Sequence, residues 1–138
     1  SSGTDALTFA LLSLNLKPDD EVLVTSFSWI SSASCVSLAG ATPVFCDVDL
    51  DTYHITLESI MDMVSDKTKA IVCVHLAGWP CDMDPIMDLA QKHKLLIIED
   101  AAHALETKYK DRELDNLKTQ HLVGYSICLC IKQKFIIY

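Results

Sequence analysis

The sequence predicts an α/β fold, with three α/β/α layers around a mainly parallel sheet. Two observations carry this. Apolar strand-like runs alternate with helix-like stretches four times over, the pattern of βαβ units joined by right-handed crossovers. The run Leu95-Leu96-Ile97-Ile98 is continuously apolar, as in a strand buried on both faces of a parallel sheet. A chain of 138 residues, 50% of them hydrophobic, is long enough to bury a core of its own and suits one globular domain.

Each element has a local reason. Ser2-Gly3-Thr4-Asp5 supplies N-cap residue types, and Leu7, Ala10, Leu11 and Leu14 follow at helical spacing. Lys17-Pro18-Asp19-Asp20 makes a turn into a strand over Glu21–Thr25. Ser28 is expected to cap the next helix, which runs to Leu38 and stops at Gly40. Thr42–Cys46 is the second strand, followed by an acidic turn over Asp47–Asp51. Thr56 starts a helix with Leu57, Ile60, Met61 and Val64 as its apolar stripe. Lys69–Leu76 is a central strand, and Asp84-Pro85 is an N-cap and N1 pair for a helix to about Lys92. After the Ile97-Ile98 strand, Lys108–Arg112 is a polar turn, with a further strand near Leu122–Ile131 and an apolar run at the end.

Composition narrows the function classes. The net charge of −8 provides no basic stripe for phosphates, so nucleic acid is not an expected partner. No apolar run has transmembrane length, so a membrane is not expected either. Of six cysteines, Cys46 and Cys73 lie inside apolar strands, where a thiol behaves as a small hydrophobe. Cys128 and Cys130 form a C-x-C without a partner cluster, so no metal site is expected. Reduced thiols in a chain without a signal peptide point to the cytoplasm.

The four glycines form neither a dinucleotide fingerprint nor a P-loop. Chemistry-bearing residues instead gather where strands end, and open α/β sheets bind ligands outside those carboxyl ends. Gly3 and Thr4 sit at a helix N-terminus able to cradle an anion, with simple capping as the plainer alternative. Trp29 follows a strand and either stacks on a planar ligand or packs as core. His75 ends a strand and reads as a satisfied buried histidine; Trp79, Tyr53 and His54 carry no usable spacing. Asp100 and His103 close the Glu99-Asp100-Ala101-Ala102-His103 segment, and a carboxylate there needs a positive partner. A phosphorylated, planar, cationic heteroaromatic satisfies the whole set. Pyridoxal phosphate (PLP) is such a molecule, with an aspartate keeping its ring nitrogen protonated.

Several segments together resemble the PLP-dependent sugar aminotransferases of the DegT/DnrJ/EryC1/StrS type, which have the aspartate-aminotransferase-like (type I) fold. They are Ser2–Leu7, Asp20–Trp29, Gly40–Asp49, Thr68–Gly78 and Glu99–His103. The likeness is close over residues 1–112 and looser over 113–138. It implies a partial PLP-binding large domain over 1–138, truncated at both ends, with the C-terminal small domain absent.

The resemblance implies that Gly3, Thr4 and Ser126 hold the phosphate, that Trp29 stacks on the ring, that Asp100 pairs with the ring nitrogen, and that His103 lies near the ring hydroxyl. Lys132 is the implied Schiff-base lysine, with Lys134 as an alternative. The activity implied is transfer of an amino group, with glutamate as donor, to a nucleotide-linked keto sugar by a homodimer. Two other readings stand beside it: a catalytically inactive remnant of the family, or a PLP-dependent sugar dehydratase in which a histidine, here His121, replaces the lysine.

Overall fold

In a computed structural model of the chain, the described residues are 3–104, 108–110, 112–113, 125–127 and 135–137. Four strands form the parallel part of the sheet: β1 (Glu21–Thr25), β2 (Thr42–Cys46), β3 (Thr68–Val74) and β4 (Leu96–Asp100). Two short strands, β7 (Tyr125–Ile127) and β8 (Phe135–Ile137), extend it antiparallel, giving the order β2-β1-β3-β4-β8-β7. The expectation of a mainly parallel sheet holds. Between β4 and β7, strands β5 (Lys108–Tyr109) and β6 (Arg112–Glu113) form a small antiparallel hairpin where the sequence predicts only a polar turn.

Helices α1 (Gly3–Ser13) and α2 (Ser31–Leu38) cover one face; α3 (Leu57–Met63) and α4 (Met83–His93) cover the other. Side chains of a strand alternate between faces. Val22, Val24, Val72, Val74 and Ile98 therefore pack beneath Leu7, Leu11 and Val36. Leu23, Ile71, Cys73 and Ile97 pack against Ile60, Ile86 and Leu89. Burial on both faces explains the unbroken apolar runs of β3 and β4.

Most expected boundaries hold, and the exceptions have local causes. α2 starts at Ser31, with Ile30 at the N-cap and no side-chain cap bond. Ser28 does not cap it, because its hydroxyl pairs with Ser32 Oγ at 3.0 Å. The helix does stop at Gly40: Ala41 N bonds to Val36 O and Gly40 N to Ser37 O, a Schellman ending in which Gly40 takes φ 86°. The cap of α3 is Thr56, in a reciprocal box with Ser59, but Met61 of the expected stripe is 57% exposed. β3 ends at Val74 rather than Leu76, where a 3-10 turn over Leu76–Gly78 begins. α4 starts at Met83 with Asp82 at the N-cap, so Asp84 and Pro85 lie inside the first turn, where a proline's missing N–H costs nothing. Among the described residues no helix is long and apolar enough to cross a membrane.

Candidate cofactor site

The strand order reverses between β1 and β3, and a cleft of about 280 Å³ opens there, beyond the carboxyl ends of the strands. The N-terminus of α1 contributes Gly3 and Thr4. The segment after β1 contributes Ser28, Trp29 and Ser31, and the ends of β3 and β4 bring His75, Asp100 and His103. Five sequence-predicted residues of the cofactor set, Gly3, Thr4, Trp29, Asp100 and His103, thus share one cleft.

Period-two alternation along β4 decides which carboxylate faces it. Asp100 shares the face of Ile98, beneath α1 and α2, whereas Glu99 points to the opposite layer beside Cys73 and Cys81. Asp100 is 7% exposed; Ala102 N donates to its Oδ1 at 3.2 Å and Ser32 Oγ to its Oδ2 at 3.4 Å. Burial pushes its pKa above the usual carboxylate value, opposed in part by these two donors and by His103 and His75. A buried carboxylate with two long hydrogen bonds facing a cleft is short of a positive partner, which is the fit a protonated ring nitrogen requires.

The other walls suit the rest of such a ligand. Thr4 O is held by Thr8 Oγ1 at 2.8 Å and Cys35 Sγ at 3.4 Å, which fixes the first turn of α1 against α2. First-turn amides have no intrahelical acceptor and can meet an anion. Trp29 is 76% exposed, so its core-packing alternative is excluded. His103 is exposed at the rim. His75 is the satisfied buried histidine the sequence predicts: its Nε2 lies 2.8 Å from Glu99 Oε2, and Cys81 N donates to its Nδ1 at 3.1 Å.

Ser126 lies in β7, paired with Ile136. Lys132, Lys134 and His121 lie outside the described residues. Sequence reasoning passed over Ser31 and Ser32, whose only signal was a cluster of serines just after β1. A second hollow, of about 420 Å³, lies between Trp79, Pro80 and the buried His54.

Known proteins resemble the chain in both sequence and fold. The profile of the DegT/DnrJ/EryC1/StrS aminotransferase family matches residues 1–124. The chain is 45% identical over 112 residues to the GDP-perosamine synthase of Escherichia coli O157:H7, covering 81% of this chain and 31% of that protein. It superimposes on the aminotransferase of Psychrobacter cryohalolentis with TM-score 0.82 and 47% identity, over 98% of this chain and 35% of that one. For the PLP form of the putative sugar aminotransferase Spr1654 of Streptococcus pneumoniae the TM-score is 0.79 and the identity 32%, over 83% and 33% of the two chains. The chain thus spans about a third of the length of the relatives it matches.

Proposed function

The chain belongs to the DegT/DnrJ/EryC1/StrS aminotransferase family, and we propose that it forms the cofactor-binding core of an aminotransferase acting on a nucleotide-linked keto sugar, with glutamate as amino donor. The family is PLP-dependent. The observation that carries the reading is Asp100: buried, raised in pKa and directed at a cleft with an anion-ready helix start and an exposed indole.

In this proposal Gly3 and Thr4, with Ser126, bind the phosphate. Trp29 would cover one ring face, Asp100 would accept a hydrogen bond from the protonated ring nitrogen, and His103 would sit at the ring hydroxyl side. Lys132 is the proposed point of covalent attachment. PLP bound there would supply the electron sink that amino transfer needs. Asp100 keeps the ring nitrogen protonated, and that charged contact is worth about 1.5–3 kcal/mol. The burial that makes an ionised Asp100 costly also strengthens this contact, because water does not compete for it. The sugar substrate is proposed by likeness to the perosamine synthase, and the pairing of two copies around the site by the family resemblance. A cytoplasmic location fits the free thiols Cys35, Cys46, Cys73 and Cys81.

The test is spectroscopic. The full chain with PLP should develop a visible absorption band that borohydride bleaches, with peptide mapping finding the reduced cofactor on Lys132. Folded protein that takes up no PLP would overturn the cofactor reading. An adduct on another lysine would overturn the Lys132 assignment alone.

A further inference from the structure

Of the buried residues of α2, Ser32, Cys35 and Val36, Ser32 alone carries a hydroxyl, and it is 2% exposed. Its Oγ lies 3.4 Å from Asp100 Oδ2 and 3.0 Å from Ser28 Oγ. A hydroxyl carries one proton and an ionised carboxylate carries none. The direction of the chain is therefore set: Ser28 donates to Ser32, and Ser32 donates to Asp100. With Ala102 N on Oδ1, each carboxylate oxygen then receives one donor from the protein and keeps lone-pair capacity for the cleft.

We propose that Ser32 is a positioning residue for Asp100, holding the carboxylate ionised and turned toward the cleft, with Ser28 setting the direction of its hydroxyl. This rests on the reading of Asp100 as the partner of the cofactor's ring nitrogen. The titratable groups around Asp100 are His75 at the end of β3, His103 after β4, and Cys35 on α2, which in turn faces Asp5 of α1. Replacing Ser32 leaves all of them in place, so a change in the protonation of Asp100 reports the hydroxyl. Protonated Asp100 keeps an acceptor oxygen but loses the negative charge that balances a protonated ring, so ligand binding weakens toward an acid limit set by Asp100. Losing a donor to the charged form moves that limit to higher pH.

The probe is pyridoxamine 5′-phosphate, which has the ring and phosphate of PLP but does not condense with lysine. Its affinity for the full chain is measured from pH 4 to 8, with circular dichroism as a check on folding. Ser32→Ala should weaken binding about three- to tenfold, the range for one hydrogen bond at the long end of its distance, and raise the acid limit by about half a pH unit. Ser32→Thr keeps the hydroxyl and should restore both. Ser28→Ala, at a half-buried position, should shift the limit the same way by less. Folded Ser32→Ala with wild-type affinity and an unmoved acid limit overturns the proposal. Asp100→Asn separates the two levels. If it retains wild-type affinity, the reading of Asp100 fails and the proposal with it; if it loses affinity while Ser32→Ala does not, only the role of Ser32 falls.

Discussion

His75 Nε2 lies 2.8 Å from Glu99 Oε2, and both side chains are fully buried. Because Cys81 N donates to Nδ1, the ring proton sits on Nε2 and is donated to Glu99. The pair links the ends of β3 and β4 on the layer opposite Asp100, while Glu99 Oε1 has no hydrogen-bond partner among the described residues. Removing the imidazole leaves that carboxylate buried without its donor. His75→Ala should therefore cost about 3–5 kcal/mol in urea unfolding, whereas Glu99→Gln, which keeps an acceptor for Nε2, should cost about 1 kcal/mol. Equal losses for the two variants would show that packing, not the polar pair, holds the strand ends.

Asp100 gives a prediction whose sign follows from its raised pKa. In the absence of cofactor the folded chain retains a proton that the unfolded chain has already released. Its stability is thus highest where Asp100 is protonated and falls as pH rises from the ordinary carboxylate range through the raised value. Asp100→Asn removes this dependence while keeping an acceptor for Ala102 N. The variant should match wild type near pH 3 and exceed it by about 1 kcal/mol at neutral pH, yet bind pyridoxamine 5′-phosphate at least tenfold more weakly. Melting curves recorded across pH check it; parallel profiles for the two proteins would show that Asp100 carries no such penalty.

Legibility in the sequence tracked the distance over which each feature is decided. β1 and β2 follow from runs of strand-forming residues between turn residues, and the buried face of α1 from helical spacing, all local signals. The start of α2 differs from the expectation because Ser28 has a competing partner, the buried Ser32. Ser32 itself was invisible: its partner Asp100 is 68 residues away, and nothing in its neighbours distinguishes it from a surface serine. The aromatic Trp29 was visible as a strand-end residue, but its exposure depends on the space between α1 and β4, which no local pattern encodes.

Burial holds Cys46 and Cys81 as thiols, their pKa values pushed up to about 12, and also raises Cys73 well above the ordinary thiol range. At pH 8 the thiolate fraction of Cys46 and Cys81 is on the order of a thousandfold below that of a free cysteine, before any steric protection. In native protein these three should escape alkylation by iodoacetamide over an hour, then react fully in guanidinium, as read by peptide mass mapping. Rapid native labelling of Cys73 would mean that the layer between the sheet and α4 opens freely.

Trp29 and Trp79 form a matched pair of exposed indoles, 76% and 70% accessible, on two different hollows. Surface truncation changes stability little, so both alanine variants should unfold within about 0.5 kcal/mol of wild type. Their effects on ligand binding should differ. Aromatic stacking contributes about 0.5–1.5 kcal/mol beyond area burial, so Trp29→Ala should weaken binding of pyridoxamine 5′-phosphate roughly three- to tenfold. Trp29→Phe retains a flat face over the cleft and should recover most of that loss, whereas Trp79→Ala, beside His54, should leave the affinity unchanged. Fluorescence supplies a second readout: ligand binding should quench the emission that disappears in Trp29→Phe and spare the emission of Trp79. If Trp79→Ala weakens binding and Trp29→Ala does not, the ligand occupies the hollow beside His54, and the placement of the ring between Trp29 and Asp100 is wrong.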